Sequence, residues 1–178
     1  RYISMKKRRF LALFLVLGLL VSLLSVPASA FEEIDVDARA ALLVEKETGE
    51  ILYEKNAHEK NYPASITKLT VALLVFEAID AGQLSLDQPI TAHESAFEGL
   101  SIYGSTAGIK VGEVLTVEQL LQCMLIVSAN EACNILAEAV CGEGNISQFV
   151  QRMNERAAAL GCENTHYVNT SGLHDPDH

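Results

Sequence analysis

Two residues three positions apart, Ser65 and Lys68, could together carry out nucleophilic chemistry. A serine hydroxyl is a poor nucleophile at neutral pH and needs a base within hydrogen-bond reach. Residues three apart on a helix share a face, so the Lys68 amine can approach the Ser65 hydroxyl. A lysine acts as a base only when its pKa falls, and burial among the apolar neighbours of Lys68 would lower it. The pair therefore indicates acyl transfer through serine.

The spacing is weak evidence by itself, because Ser4 and Lys7 repeat it by chance in the same chain. The competing interpretation is that Ser65 caps a helix and Lys68 extends its amine to the surface. The context of the second pair supports catalysis about as well as its competitor and leaves both open, because Pro63 stands at the expected first turn of a strongly apolar helix. The start of a helix also offers free N–H groups to a developing oxyanion.

A second candidate is the segment Ser128-Ala129-Asn130, which lies between two predicted helices. Alone it would be interpreted as an ordinary interhelical turn. Beside Ser65 and Lys68, the Ser128 hydroxyl could pass a proton to a leaving nitrogen, and the Asn130 amide could orient Lys68 and the substrate backbone.

The surrounding elements predict an α+β fold, with strands first and helices afterwards. Apolar runs at residues 40–44 and 51–53 flank a turn with Gly49 and predict a β-hairpin. Residues 66–79 are apolar on most sides, which predicts a buried helix ending near Gly82.

The second half of the chain predicts more helices. Residues 83–115 are rich in glycine and predict loops and small helices. Thr116 and Gln119 fit a capping box that opens a helix to about residue 127. Further helices are expected at residues 131–140 and 146–160, the last capped by Asn145. The tail at residues 163–178 is polar and rich in turns.

Residues 1–30 predict an export signal. A basic cluster, an apolar run to about Val26, Pro27 and the segment Ala28-Ser29-Ala30 match a cleavable signal peptide, whereas an uncleaved anchor is the alternative. Without these residues the chain has 8 basic and 23 acidic residues, a formal net charge of −15. Such a surface argues against nucleic acid as a partner.

The four cysteines are Cys123, Cys133, Cys141 and Cys162. Export permits disulfides, and four cysteines allow three pairings that the sequence does not rank. Cys123 and Cys133 share helical spacing with apolar residues, which favours small buried hydrophobes over disulfides.

Pro-Ala-Ser-Ile-Thr-Lys at residues 63–68, together with Ser-Ala-Asn at residues 128–130, resembles the low-molecular-mass penicillin-binding proteins that are serine-type D-alanyl-D-alanine carboxypeptidases (peptidase S11). Tyr103-Gly104-Ser105 and the segment at residues 169–173 also resemble that family. The resemblance covers residues 38 to 178. It implies a β-lactamase/transpeptidase-like fold in which residues 31–178 are an N-terminal portion of the catalytic domain.

The resemblance implies that Ser65 is acylated, Lys68 is the general base, Ser128 relays protons and Asn130 binds substrate. The implied substrate is an extracytoplasmic peptidoglycan stem peptide ending in D-Ala-D-Ala, and β-lactam antibiotics are implied as covalent inhibitors. Neither a metal nor an organic cofactor is required. A C-terminal membrane anchor outside these residues is left open.

The sequence departs from the family in two places. Ala129 stands where the family usually has glycine, which should be tolerated unless the backbone there needs a positive φ. No Lys-Thr-Gly occurs, so the carboxylate-binding strand is expected after His178, and residues 31–178 alone are expected to be inactive and poorly folded.

A serine β-lactamase and a non-catalytic cell-wall module are the alternative functions.

Two other segments were candidates for chemistry. The run His174 to His178 is rich in metal-ligand residue types, but it has no separated partner motif and predicts a solvated loop. Tyr167-Val168-Asn169 matches a second motif used by some relatives, but its place near a turn disfavours it.

Overall fold

The computed structural model describes residues 35–178, so the predicted signal sequence at residues 1–30 lies outside the described residues. The described chain divides into two units, one ending at Glu59 and the other running from Lys60 to His178. In residues 35–178, no helix has both the length and the apolar character needed to cross a membrane.

The first unit contains the predicted β-hairpin. Strands β1 (Ala41–Val44) and β2 (Ile51–Lys55) pair antiparallel. In the turn, Gly49 adopts a φ of 75°, a conformation that glycine reaches without steric cost. The Glu45 carboxylate accepts hydrogen bonds of 2.6 Å from both the N–H and the hydroxyl of Thr48, which closes the turn.

The second unit combines four helices with a two-stranded antiparallel sheet. A 3₁₀ turn (Ala64–Thr67) leads into the first helix, and a second 3₁₀ turn covers Glu94–Phe97. The helices are α1 (Lys68–Asp80), α2 (Val117–Ile126), α3 (Asn130–Cys141) and α4 (Ile146–Ala159), and the strands are β3 (Pro89–Thr91) and β4 (Val114–Thr116).

Helix α3 lies at the centre of this unit and packs against the other three helices. Every residue from Asn130 to Glu138 is buried. The core around it is built from the largest buried side chains of the neighbouring helices, which are Val71, Val75, Leu120, Met124, Phe149 and Met153. The buried polar side chains of α3 are hydrogen-bonded to other segments of the chain.

Both predicted N-cap residues begin a helix, but only one of them caps it with its side chain. At α2 the capping box is present: the Thr116 hydroxyl accepts from the Gln119 N–H at 3.2 Å, and the Gln119 side chain accepts from the Thr116 N–H at 2.9 Å. Asn145 is the N-cap residue of α4, as predicted, but its side chain makes no capping bond to the helix. Its φ of −98° and ψ of 34° differ from the extended conformation of a typical N-cap, and its amide donates to the Glu143 carbonyl.

The prediction that the first helix is buried on most sides is wrong for one face. Val71 and Val75 are fully buried, but Ile66 and Leu69 on the other side are 68% and 62% exposed. The physical reason is that α2, α3 and α4, the described helices that contact α1, leave these two side chains uncovered.

Residues 83–115 contain the expected small helix at Glu94–Phe97. Strand β3 and the start of β4 were not predicted there. Each strand has three residues, too short for an alternating apolar pattern to be visible in the sequence.

The described cysteines are all free thiols. Cys133 is fully buried, as predicted, and burial raises its pKa to about 12. Cys123, predicted to be buried, is only partly so, as is Cys141, and Cys162 is exposed.

The run His174 to His178, predicted to be a solvated loop, is exposed or half-buried, and both of its histidines contact other parts of this unit. The His178 ring nitrogen Nε2 lies 2.8 Å from the Thr67 hydroxyl, and the His174 ring packs edge-on against Tyr62 at 4.6 Å. Residues Thr170 and Ser171 are buried. Tertiary packing, rather than local polarity, therefore determines the burial of these two residues.

The segment that carries Ser171 packs tightly on the first 3₁₀ turn. A Cβ atom at Gly172 would lie 1.7 Å from the carbonyl oxygen of Ala64, and Gly172 has a φ of +81°. Only glycine therefore allows the two backbones to approach this closely.

We expect Gly172→Ala to lower the free energy of unfolding by about 2–4 kcal/mol, since backbone strain adds to a steric collision. Gly161→Ala is the matched control, because Gly161 has a φ of +80° but its Cβ would meet nothing within 4 Å. The control should lose only about 1 kcal/mol. Denaturant unfolding of both variants measures the difference, and equal losses would contradict the collision.

Candidate active site

The Ser65 hydroxyl and the Lys68 amine meet at the start of α1. Lys68 Nζ lies 3.2 Å from Ser65 Oγ. The 3₁₀ turn that precedes the helix places residues three apart directly above one another, which brings the two side chains together. Ser65 is exposed, whereas Lys68 is only 3% exposed. The hydroxyl is thus open to a substrate and the amine is withdrawn from water.

Lys68 Nζ has three hydrogen-bond neighbours. It lies 2.9 Å from Asn130 Oδ1, 2.8 Å from the Ser171 carbonyl oxygen and 3.2 Å from Ser65 Oγ. The amide oxygen and the carbonyl oxygen can only accept, whereas the serine hydroxyl can also donate. A neutral amine has two N–H groups and one lone pair. When the two N–H groups satisfy the two obligate acceptors, the lone pair faces the Ser65 hydroxyl.

Burial favours the neutral form of the Lys68 amine over the charged form. Desolvation lowers the pKa of Lys68 below its ordinary value, and the negative charge of Glu131 partly opposes this effect. Because the charged form is disfavoured in the interior, Lys68 can accept a proton nearer to neutral pH than an exposed lysine could.

Ser128 supplies a second hydroxyl. Ser128 lies in the junction between α2 and α3, and its Oγ is 2.9 Å from Ser65 Oγ. Ser128 adopts a φ of +61°, which is uncommon for a residue with a Cβ. Ala129 has a φ of −60°, so the methyl group that distinguishes it from the family's glycine causes no backbone strain.

Asn130, the first residue of α3, is held from both its backbone and its side chain. Its N–H donates to the Ser105 carbonyl at 2.9 Å, and its Oδ1 accepts from Lys68. Gly104 lies so close that a Cβ there would be 2.5 Å from Asn130 Nδ2. The structure thus brings together all four residues selected from the sequence, while their roles remain predictions.

The sequence did not reveal the contribution of residues 169–173. Asn169 Oδ1 accepts from the N–H groups of Ser171 at 3.2 Å and Gly172 at 2.7 Å, and its amide donates to the Leu173 carbonyl at 2.8 Å. This closed turn presents the Ser171 carbonyl to Lys68. Asn-Thr-Ser-Gly is recognisable as a turn in the sequence, but the turn signal does not disclose its partner.

The alternative second motif, Tyr167-Val168-Asn169, does not supply a side chain to Lys68. The Tyr167 hydroxyl lies 2.9 Å from the Thr70 hydroxyl, and Asn169 is engaged within its own turn. Among residues 35–178, no cluster of three or more His, Cys, Asp or Glu side chains is arranged to hold a metal ion.

The arrangement can perform nucleophilic catalysis. The exposed Ser65 hydroxyl lies within hydrogen-bond distance of a buried amine with a lowered pKa and of a second hydroxyl. These are the groups needed to activate a serine and to move its proton.

Known proteins are similar to this chain in sequence and in fold. The D-alanyl-D-alanine carboxypeptidase family (peptidase S11) matches residues 27–178. The D-alanyl-D-alanine carboxypeptidase DacF of Bacillus subtilis is 35% identical over 166 residues, which are 89% of this chain and 41% of DacF. The chain thus spans less than half the length of this relative.

Two solved structures are similar to the described fold. Penicillin-binding protein 6B from Escherichia coli has a TM-score of 0.75 and 30% identity, covering 85% of this chain and 48% of that one. Penicillin-binding protein D2 from Listeria monocytogenes, in its ampicillin-bound form, has a TM-score of 0.68 and 31% identity, covering 83% and 57%. These similarities confirm the predicted α+β, β-lactamase/transpeptidase-like fold class. The chain belongs to the D-alanyl-D-alanine carboxypeptidase family, peptidase S11.

Proposed function

We propose that the whole protein is an exported serine-type D-alanyl-D-alanine carboxypeptidase that trims peptidoglycan stem peptides ending in D-Ala-D-Ala. The observation that carries the proposal is the geometry of Lys68, whose two obligate acceptors leave its lone pair for the Ser65 hydroxyl at 3.2 Å. Relatives named as D-alanyl-D-alanine carboxypeptidases support the substrate class. The basic, apolar and Ala-Ser-Ala segments within residues 1–30 support export.

In the first step, Ser65 Oγ attacks the carbonyl carbon of the penultimate D-Ala as neutral Lys68 takes the hydroxyl proton. The resulting tetrahedral intermediate has a bond from Ser65 Oγ to carbon and a negatively charged oxygen. Asn130 keeps Lys68 oriented through its Oδ1 and is proposed to hold the substrate backbone.

In the second step the carbon–nitrogen bond breaks and terminal D-Ala leaves. Its amine needs a proton, which the Ser128 hydroxyl can deliver while it accepts another from the chain of groups that ends at Lys68. The product is an acyl ester on Ser65. Water then attacks the ester, the stem peptide that has lost its terminal D-Ala is released as a carboxylic acid, and the Ser65 hydroxyl is restored.

Ser65, Lys68, Ser128 and Asn130 all have other roles in these steps, so none of them is assigned to bind the carboxylate of the terminal D-Ala. The 178 residues contain no Lys-Thr-Gly. Because the chain spans less than half of a typical relative, we propose that the remainder of the whole protein provides this carboxylate-binding group.

A β-lactam carries a reactive amide that resembles the scissile bond, so we expect the whole protein to be labelled covalently by a fluorescent penicillin at Ser65. Ser65→Ala should abolish labelling and lower D-Ala release by a factor on the order of 10⁴ or more, because the attacking oxygen is gone. Labelling is read on denaturing gels, and released D-Ala is measured enzymatically.

Ser147→Ala is the control, because Ser147 is an exposed serine on α4. It should label and turn over like the unaltered protein. Undiminished labelling of Ser65→Ala would overturn the assignment of the nucleophile. Rapid turnover of penicillin instead of a stable adduct would indicate a β-lactamase, and labelling without D-Ala release would indicate a non-catalytic wall module.

The rate of Ser65 acylation should increase with pH. The protonated amine has no lone pair, so acylation needs neutral Lys68, and burial lowers the pKa of Lys68 below its ordinary value of 10.5. The rate should therefore rise as pH approaches the lowered pKa from below and level off above it. We expect the half-maximal rate at a pH below 10.5 in stopped-flow or gel-based labelling; a midpoint at 10.5 or above would contradict a desolvated base.

A further inference from the structure

The residue after Asn130 is a buried carboxylate that the proposed reaction does not use. Glu131 is only 3% exposed. Its Oε1 accepts hydrogen bonds from the Thr106 hydroxyl at 2.7 Å and from the Ala107 N–H at 2.8 Å. A buried charge is costly unless it is well hydrogen-bonded, so these two bonds are strong constraints on residues 106 and 107.

Both donors belong to the loop at residues 101–107, which forms a wall beside the active site. The Ser105 carbonyl accepts from the Asn130 N–H at 2.9 Å, and Gly104 lies against the Asn130 carboxamide. The tip of the loop is open to solvent, with Tyr103 92% exposed. Glu131 and the Asn130 backbone therefore hold this loop to α3 from one side.

This attachment matters for the Asn130 side chain. A carboxamide has an accepting end and a donating end, and Lys68 requires the accepting end, Oδ1. The donating end, Nδ2, is confined by Gly104. If the loop moved away, the amide could turn, and Lys68 would lose one of the two acceptors that direct its lone pair to Ser65.

Glu131 also acts on Lys68 through its charge. Glu131 and Cys133, both on α3, are the described titratable groups whose charges act on Lys68. Burial raises the pKa of Cys133 to about 12, so the thiol is neutral near pH 7. The Glu131 carboxylate raises the pKa of Lys68 and offsets part of the lowering that burial causes.

We propose that Glu131 is a positioning residue: its carboxylate fixes the loop at residues 101–107 against Asn130 and so keeps Lys68 aligned with Ser65. The reaction that it serves is the acyl transfer of the proposed function, on which this inference rests. The loop attachment itself can be measured without that reaction.

The test compares two substitutions in the whole protein. Glu131→Gln keeps an accepting oxygen of the same reach and removes the charge, so the loop should stay in place. Its acylation by fluorescent penicillin should reach half-maximum at lower pH than in the unaltered protein, because removing a negative charge lowers the pKa of Lys68 further.

Glu131→Ala removes both ties to the loop. We expect acylation to slow by about tenfold or more, the loss typical of breaking buried charged hydrogen bonds. Chymotrypsin cleavage after the exposed Tyr103 should accelerate by about tenfold as the loop opens more often. If this variant does not fold, Thr106→Val removes one tie without altering α3, and it should change both rates in the same direction by less.

Glu138→Gln is the matched control. Glu138 lies seven residues further along α3, is 5% exposed, and accepts from the Ser95 hydroxyl at 2.6 Å and the Gly144 N–H at 2.9 Å. It has the same chemistry and burial, but it holds other segments and is not among the charges that act on Lys68. The control should leave the pH profile and the Tyr103 cleavage rate unchanged.

The inference is overturned if Glu131→Ala, or Thr106→Val in its place, keeps the original acylation and cleavage rates. It is equally overturned if Glu131→Gln leaves the pH midpoint unchanged or raises it, or if Glu138→Gln reproduces the effects of Glu131→Gln. Absence of labelling in the unaltered protein would instead refute the proposed function, and the cleavage rates would still decide whether Glu131 holds the loop.

Discussion

The site depends on the burial of one amine. Lys68 would be protonated and inert as a base in water, and it would be costly in the interior without partners. Two acceptors from distant parts of the chain, Asn130 Oδ1 and the Ser171 carbonyl, resolve this conflict because they satisfy the nitrogen without adding charge. The same two bonds determine where the remaining lone pair points, so solvation and alignment of the base have a single structural origin.

Helix α3 is the element that makes this arrangement stable. Its buried polar side chains hold segments that have little regular structure of their own. Asn134 donates to the Ala96 carbonyl at 2.9 Å and accepts from the Thr170 hydroxyl at 2.6 Å, while Glu131 holds Thr106. A hydrophobic core alone would leave these loops free to move. The polar side chains of this central helix therefore fix the positions of the loops that surround the site.

The sequence was informative where the determinants are local. Ser65 and Lys68 lie within one turn, and the Thr116 capping box spans four residues, so both could be predicted. The contribution of Ser171 could not, because a backbone carbonyl has no side-chain signature and its partner is 103 positions away. The exposure of Ile66 was missed for a related reason: apolar composition indicates a tendency to be buried but does not reveal which surface covers the side chain.

The backbone at Ser128 has a consequence for the balance between stability and activity. A residue with a Cβ at a φ of +61° is strained by about 1 kcal/mol relative to glycine, which adopts this conformation freely. Selection for thermal stability alone would therefore favour glycine at this position and would remove the hydroxyl that lies 2.9 Å from Ser65. Consensus or thermostability engineering of this protein should leave residue 128 unaltered, because the strain is inseparable from the group that it places.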